Sequence, residues 1–164
     1  MTADHNAVKT MTNTFRHVIL VNLENNTLEV KNMISNPEYG WCDFDLKSFH
    51  GSPSYLTDVP VDLLNAFIKY HSTGTGIAWF DEEGTEFTLV ITPYSLFVIE
   101  EKDKPVLHNF SEMNIDNLEK ELIEDIEKDL IGWSEFITTG DIDEVIIHRD
   151  EIRNKVAMLK ELSR

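Results

Sequence analysis

The sequence predicts an α+β fold. It reads as a single domain whose antiparallel sheet has about six strands in hairpins and a meander. One central helix and two C-terminal amphipathic helices cover that sheet. Three observations lead there. Short apolar stretches between residues 15 and 99 alternate with polar residues and are joined by turn residues, as antiparallel strands are. One stretch with helical spacing, around residues 59–71, interrupts them. From about Asp116 onward the apolar period changes to 3.6. Strands joined by short turns, followed by helices with a single apolar stripe, are arranged most simply as a sheet with helices on one face.

The elements follow in order. Residues 1–14 have no periodicity and many Thr and Asn, which predicts a loose N-terminal tail, with residues 15–164 as the domain. Phe15 to Leu23 is β-branched and apolar, Glu24-Asn25-Asn26 is turn chemistry, and Leu28 and Val30 alternate with Glu29 and Lys31, a hairpin signature. Asn36-Pro37-Glu38-Tyr39-Gly40 is a turn cluster. Cys42, Phe44 and Leu46 then alternate with Asp43, Asp45 and Lys47, a strand with one wet face. Ser48 to Val59 reads as a loop. Asp58 with Pro60 starts a helix that carries Leu63, Leu64, Phe67 and Ile68 and ends at Ser72-Thr73-Gly74-Thr75-Gly76. Ile77 to Phe80, the turn Asp81-Glu82-Glu83-Gly84, Phe87 to Thr92 and Leu96 to Ile99 make a three-stranded meander. Leu118, Leu122, Ile126, Leu130, Trp133 and Ile137 form the stripe of one long helix, with Glu119, Glu121, Glu124, Asp125, Glu127 and Asp129 around the rest of it. A last helix holds Ile152, Val156, Leu159 and Leu162 and starts at Asp150 or as early as Asp141.

Composition sets limits on function. The chain has 164 residues, with 30 Asp and Glu against 14 Lys and Arg, a formal charge of −16. Such an excess repels phosphate backbones and anionic lipid, which argues against nucleic acid and membrane surfaces as partners. No apolar run approaches the roughly 20 residues of a membrane span. The polar N-terminus lacks the apolar core of a signal peptide, and a lone Cys42 suits a reducing compartment, so a cytoplasmic location is expected. The charge is uneven: residues 1–80 hold 8 acids and 5 bases, residues 81–164 hold 22 and 9.

The motifs that suggest catalysis are each outweighed by a plainer reading. Asp45 and Lys47 form the acid-x-Lys spacing of metal-dependent nucleases, but the same letters describe the wet face of a strand. The Ser72–Gly76 segment lacks the Lys-Ser/Thr and the following helix of a phosphate cradle, and reads as a helix end. Cys42 lies on the apolar side of its strand, where a thiol is inert. The histidines at 5, 17, 50, 71, 108 and 148 lack zinc-site spacing, and His148-Arg149-Asp150 stands without the other kinase motifs. Asp81/Glu83, Glu100/Glu101 and Asp141/Asp143 lack the ligand pattern of a calcium loop. No catalytic residue, metal or cofactor is expected.

Two features point to a protein partner. One is the acidic surface. The other is the aromatic segment from Tyr39 to Tyr55, in which Trp41 and Phe49 share the parity of Asp43 and Asp45 and so fall on the wet face. Aromatic anchors beside carboxylates suit a basic protein surface. The expected contact residues are Tyr39, Trp41, Asp43, Asp45, Phe49, Glu82 and Glu83. The expected activity is masking of a basic partner, most concretely neutralisation of a basic nuclease toxin by a bacterial immunity protein. The alternatives are a small enzyme or ligand-binding domain with a site assembled from distant residues, and an adaptor that docks through its C-terminal helix. The oligomeric state is not encoded in these patterns.

Overall fold

The computed structural model describes residues 32–164, which form one α+β unit. The tail expected over 1–14 and the hairpin over 15–31 lie outside them. The alternation around Cys42 becomes β2 (Trp41–Leu46), with Cys42, Phe44 and Leu46 buried. It pairs antiparallel with β1 (Ile34–Glu38) on one side and β3 (Phe49–Gly51) on the other. Thus part of the expected turn cluster is a bulged edge strand, which tolerates Pro37, and part of the expected loop is a strand.

Asp58 caps α1 (Val59–Thr73) by accepting from the Val61 N–H, and Pro60 sits in its first turn. Gly74 closes the helix at φ 76°, a left-handed C-cap. The chain then makes β4 (Gly76–Asp81), β5 (Glu86–Ile91), β6 (Leu96–Glu101) and β7 (Val106–Asn109). They form an antiparallel meander in sequence order. The expected single sheet is therefore two, of three and four strands. Strand β7 gave no alternation signal because both its apolar residues, Val106 and Leu107, are exposed.

The stripe expected to be one long helix is two. Helix α2 (Ile115–Lys128) stops at Asp129, whose backbone leaves the helical region at φ −135°, ψ 52°. The Asp129 carboxylate then caps α3 (Leu130–Glu135) at the Gly132 N–H. A helix stripe does not record such a break, because a capping aspartate on a wet face looks like any other acid. Helix α4 (Ile142–Leu162) begins at Asp141, the earlier of the two expected starts, and buries Ile152, Val156 and Leu159.

The two sheets share one core. Phe44, Phe49, Phe80 and Phe87 cluster with ring centroids 5.0 to 6.0 Å apart, so β2, β3, β4 and β5 meet through aromatic contacts. Backbone bonds add to this, with the Ser54 N–H donating to Asp81 O at 2.8 Å and the Cys42 N–H to Pro53 O at 3.1 Å. Helix α1 lies on β4 so closely that a Cβ at Gly76 would collide with the Ala66 carbonyl.

Polar groups join the helices. His71 donates to Glu119 at 2.7 Å and Ser163 donates to the other oxygen of that carboxylate, which is buried. Asp125 is also buried and accepts the Ile34 N–H at 3.2 Å. Both carboxyls are raised, first by burial, which outweighs the hydrogen bonds they accept. Their expected place on a wet helix face is therefore corrected: α2 is covered on more of its circumference than its apolar stripe shows.

Candidate functional site

Strands β1 and β2 are joined by the two-residue turn Tyr39-Gly40, with φ 55° and 78°. Positive φ at both positions is the type I′ geometry that matches strand twist. Glycine meets that demand freely, whereas a tyrosine there is strained. The ring gains nothing from packing in exchange, since Tyr39 is 97% exposed. Tyr55 folds over the hairpin tip: its N–H donates to Gly40 O at 2.8 Å, and a Cβ on Gly40 would lie 2.9 Å from its ring.

The connection between α3 and α4, Phe136 to Gly140, rises opposite. Between the two walls lies an open cleft of about 680 Å³. Its floor and rim include Tyr39, Tyr55, Ile137 and two carboxylates, Glu38 and Glu135, and among the described residues no Lys or Arg lines it. Next to it, Trp41 pairs with Glu38 across the ladder and is 38% exposed.

The structure sorts the expected contact residues. Tyr39, Trp41, Asp43 and Asp45 lie on the β1–β2 hairpin, Tyr39 in its turn and the other three on the face of β2 opposite buried Cys42, Phe44 and Leu46. Asp43 accepts from the Asn36 side chain at 2.6 Å, and Asp45 faces His50 at 3.1 Å. Phe49 does not join them. Its expected place on the wet face is corrected, because the chain turns at Lys47-Ser48 and Phe49 begins β3 opposite Leu46, pointing into the core. It is 3% exposed and packs on Phe44 and Phe87. Glu82 and Glu83 occupy the β4–β5 turn. Glu82 is committed to that turn's geometry, accepting from the Ser52 N–H at 2.6 Å and from Thr85 at 2.8 Å. Glu83 is exposed, at φ 53°. Sequence spacing gives no sign that Tyr55, Glu135 and Ile137 stand near Tyr39. Their approach depends on the break at Asp129 and on the loop after β3.

The remaining motifs take structural positions. Cys42 is buried, and burial first and Asp43 second push its thiol far up, so it is held protonated. Lys47 lies in the turn after β2 at φ 52° and pairs with Glu112 at 2.7 Å, so it does not share a strand face with Asp45. His148 is buried between Ser134 O at 2.9 Å and Asp58 at 3.0 Å. Among the described residues no group of three or more His, Cys, Asp or Glu is placed to hold a metal ion. Among them no helix is long and apolar enough to cross a membrane. No family model, curated protein or solved structure matches the chain.

Proposed function

We propose that this chain is an acidic, non-enzymatic binding protein that masks a basic protein partner, most concretely a bacterial immunity protein that neutralises a basic nuclease toxin in the cytoplasm. One observation carries the reading: a strained, exposed Tyr39 stands on a cleft whose charged lining, among the described residues, is Glu38 and Glu135. Strain kept at an exposed side chain is a mark of a functional position. Exposed tyrosines and tryptophans are common interface anchors, because they offer large area at small entropic cost. An enzyme that cleaves nucleic acid carries positive charge for its substrate, and an opposing acidic surface both steers approach and suits the same cleft.

A pull-down from the native host, identified by mass spectrometry at low and high salt, tests this reading. A basic protein released by salt supports it. Stopped-flow association with that partner then slows sharply as salt rises, since steering accelerates encounter roughly 10- to 1,000-fold at low ionic strength. An on-rate that ignores salt removes the steering argument. The second reading, a small-ligand site, has one observation in its favour, the cleft volume, which falls within the range of ligand pockets. A retained small molecule with no protein partner would select it.

A further inference from the structure

The sheet β4–β7 is covered on one face only, among the described residues. Its inner face carries Ala78, Phe80, Phe87, Leu89, Ile91 and Val98, all buried. The register fixes what the outer face carries, in three rows across the strands. One end row is Asp81, Glu86 and Glu101. The middle row is Trp79, Thr88, Ile99 and Leu107. The far row is Ile77, Val90, Phe97 and Asn109. Ile77 and Leu107 are each 61% exposed and Trp79 is 43% exposed. This outer face has no lysine or arginine at any of those positions.

The acidic row is built against its own electrostatics. Carboxylates directly opposite on neighbouring strands repel. Here Glu86 faces Asp81 on one side and Glu101 on the other. Asp81 accepts the Glu83 N–H at 2.6 Å and so serves its turn, which leaves Glu86 and Glu101 as the pair to explain. The Glu86 and Glu101 carboxyls face each other across the ladder, and the proton that one can share with the other, followed by their mutual repulsion, raises the Glu101 carboxyl. The Trp79 indole N–H donates to Glu86 at 3.0 Å, which fixes the ring beside the acid pair. A planar cation placed over Trp79 would meet a π-face and two carboxylate acceptors at once. Arginine fits this better than lysine, because its flat guanidinium stacks and forks. A second copy of the chain fits poorly, since it would bring the same acids at a net charge of −16.

Accordingly, we propose that the outer face of β4–β7 docks a protein surface that presents arginine, with the guanidinium on Trp79 and between Glu86 and Glu101, and aliphatic side chains over Ile77 and Leu107. This rests on the basic-partner reading above and assigns it a second surface. Four strands about 4.8 Å apart and six residues of about 3.3 Å give an in-plane area of roughly 400 Å². One side of a standard complex uses about 800 Å². The face is therefore an anchor patch and not a whole interface.

The three tryptophan indole N–H signals of the full ¹⁵N-labelled chain test it. Trp79 reports on this face, Trp41 on the three-stranded sheet, and the fully buried Trp133 on the fold. Titration with a 12-residue arginine-rich peptide is expected to move the Trp79 signal, with Trp133 fixed, and to bind at least threefold tighter than the lysine counterpart. The double variant E86Q/E101Q should keep the Trp133 signal in place and lose at least fivefold in peptide affinity, while D43N is unchanged. A Trp79 signal that ignores the peptide, or a double variant that binds like wild type, overturns the inference. So does a Trp79 shift that follows the concentration of the chain alone, which would assign the face to a second copy. Failure of the underlying reading shows separately, as the absence of any salt-released basic partner in the pull-down.

Discussion

Replacing Tyr39 by asparagine should stabilise the fold while weakening partner binding. The residue sits at φ 55° in a type I′ turn, where an ordinary L-residue costs about 1–2 kcal/mol and asparagine much less. Its ring is 97% exposed, so its removal forfeits almost no buried area. Asparagine also avoids the extra unfolded-state entropy that glycine would bring. The net gain should be about 0.5–1 kcal/mol, which raises Tm by roughly 1–4 °C for a chain of this size. Truncating a central interface tyrosine costs 1–2 kcal/mol or more in binding, about a tenfold loss of affinity. Urea or thermal melts and calorimetric titration with the salt-released partner measure the two effects. A raised Tm with unchanged affinity would remove the hairpin tip from the interface. A lowered Tm would mean that the ring is packed, and the strain argument would fail.

Phe49→Ala should cost about 3–5 kcal/mol in urea unfolding, because it empties a site between Phe44 and Phe87. A loss under 1 kcal/mol would return Phe49 to the surface. His148 should give the fold a pH dependence near neutrality. Burial disfavours its charged form, but the hydrogen bonds to Asp58 and Ser134 outweigh burial and raise it above 6.5. The charged ring is thus favoured in the folded state. Its stabilisation is complete below pH 6.5 and fades as pH rises through the raised folded value, so Tm should drop from pH 6 to pH 8 and less so in His148→Gln. Asp62, pushed up to about 6 by burial first and Asp58 second, titrates at the lower edge of that window and adds a loss of the same sign, so the contribution of His148 is read from the difference between wild type and His148→Gln. Truncation after Gly140 removes Ile152, Val156 and Leu159, each worth about 1.5–3 kcal/mol when buried, and should abolish cooperative unfolding. A folded truncation would free α4 as a docking element. Gly76→Ala should fail to fold or lose most of its stability, read by circular dichroism, because the Ala66 carbonyl occupies the space its methyl needs.

Local patterns in the chain were reliable where one face is wet and the other dry. The alternation at Cys42–Leu46 and the Asp58/Pro60 helix start both appear in the structure, because each depends on neighbours in sequence. Phe49 was misplaced for the opposite reason. Parity holds only along one strand, and the Lys47-Ser48 turn resets it. Glu119 and Asp125 were hidden because their partners, His71, Ser163 and the Ile34 N–H, lie 44 to 91 residues away. The cleft was partly visible, as a run of aromatics, but its far wall depends on a helix break at an aspartate that resembles surface charge. The outer sheet face was legible in principle: Ile77 and Trp79 alternate with Ala78 and Phe80, so both faces of β4 are apolar. Only the pairing register and the exposure of Ile77, Trp79 and Leu107 show that one of those faces is bordered by acids and left uncovered by the described residues.

Net charge and local charge make different claims, and the structure separates them. Several acids are already occupied: Glu119 by His71 and Ser163, Asp125 by the buried Ile34 N–H, Glu82 by Ser52 and Thr85, and Glu100 by Lys102 and His108. Asp58, Asp129 and Asp141 cap helices. These acids account for fold and helix ends, and they would be chosen whatever the chain binds. Asp81 belongs with them, since it accepts the Glu83 N–H at 2.6 Å in the β4–β5 turn. Glu86, whose donor is the exposed Trp79 indole, and Glu101 differ. Two carboxylates directly opposite on adjacent strands repel one another, and among the described residues no Lys or Arg occupies an outer position of that sheet to relieve them. Substituting threonine at 86 or 101 would satisfy the strand better and leave the protein well charged. An arrangement that costs stability, lies beside an exposed tryptophan, and adds little to an already ample charge is the one that the proposed arginine contact would complete, and E86Q/E101Q should therefore gain stability as it loses peptide affinity.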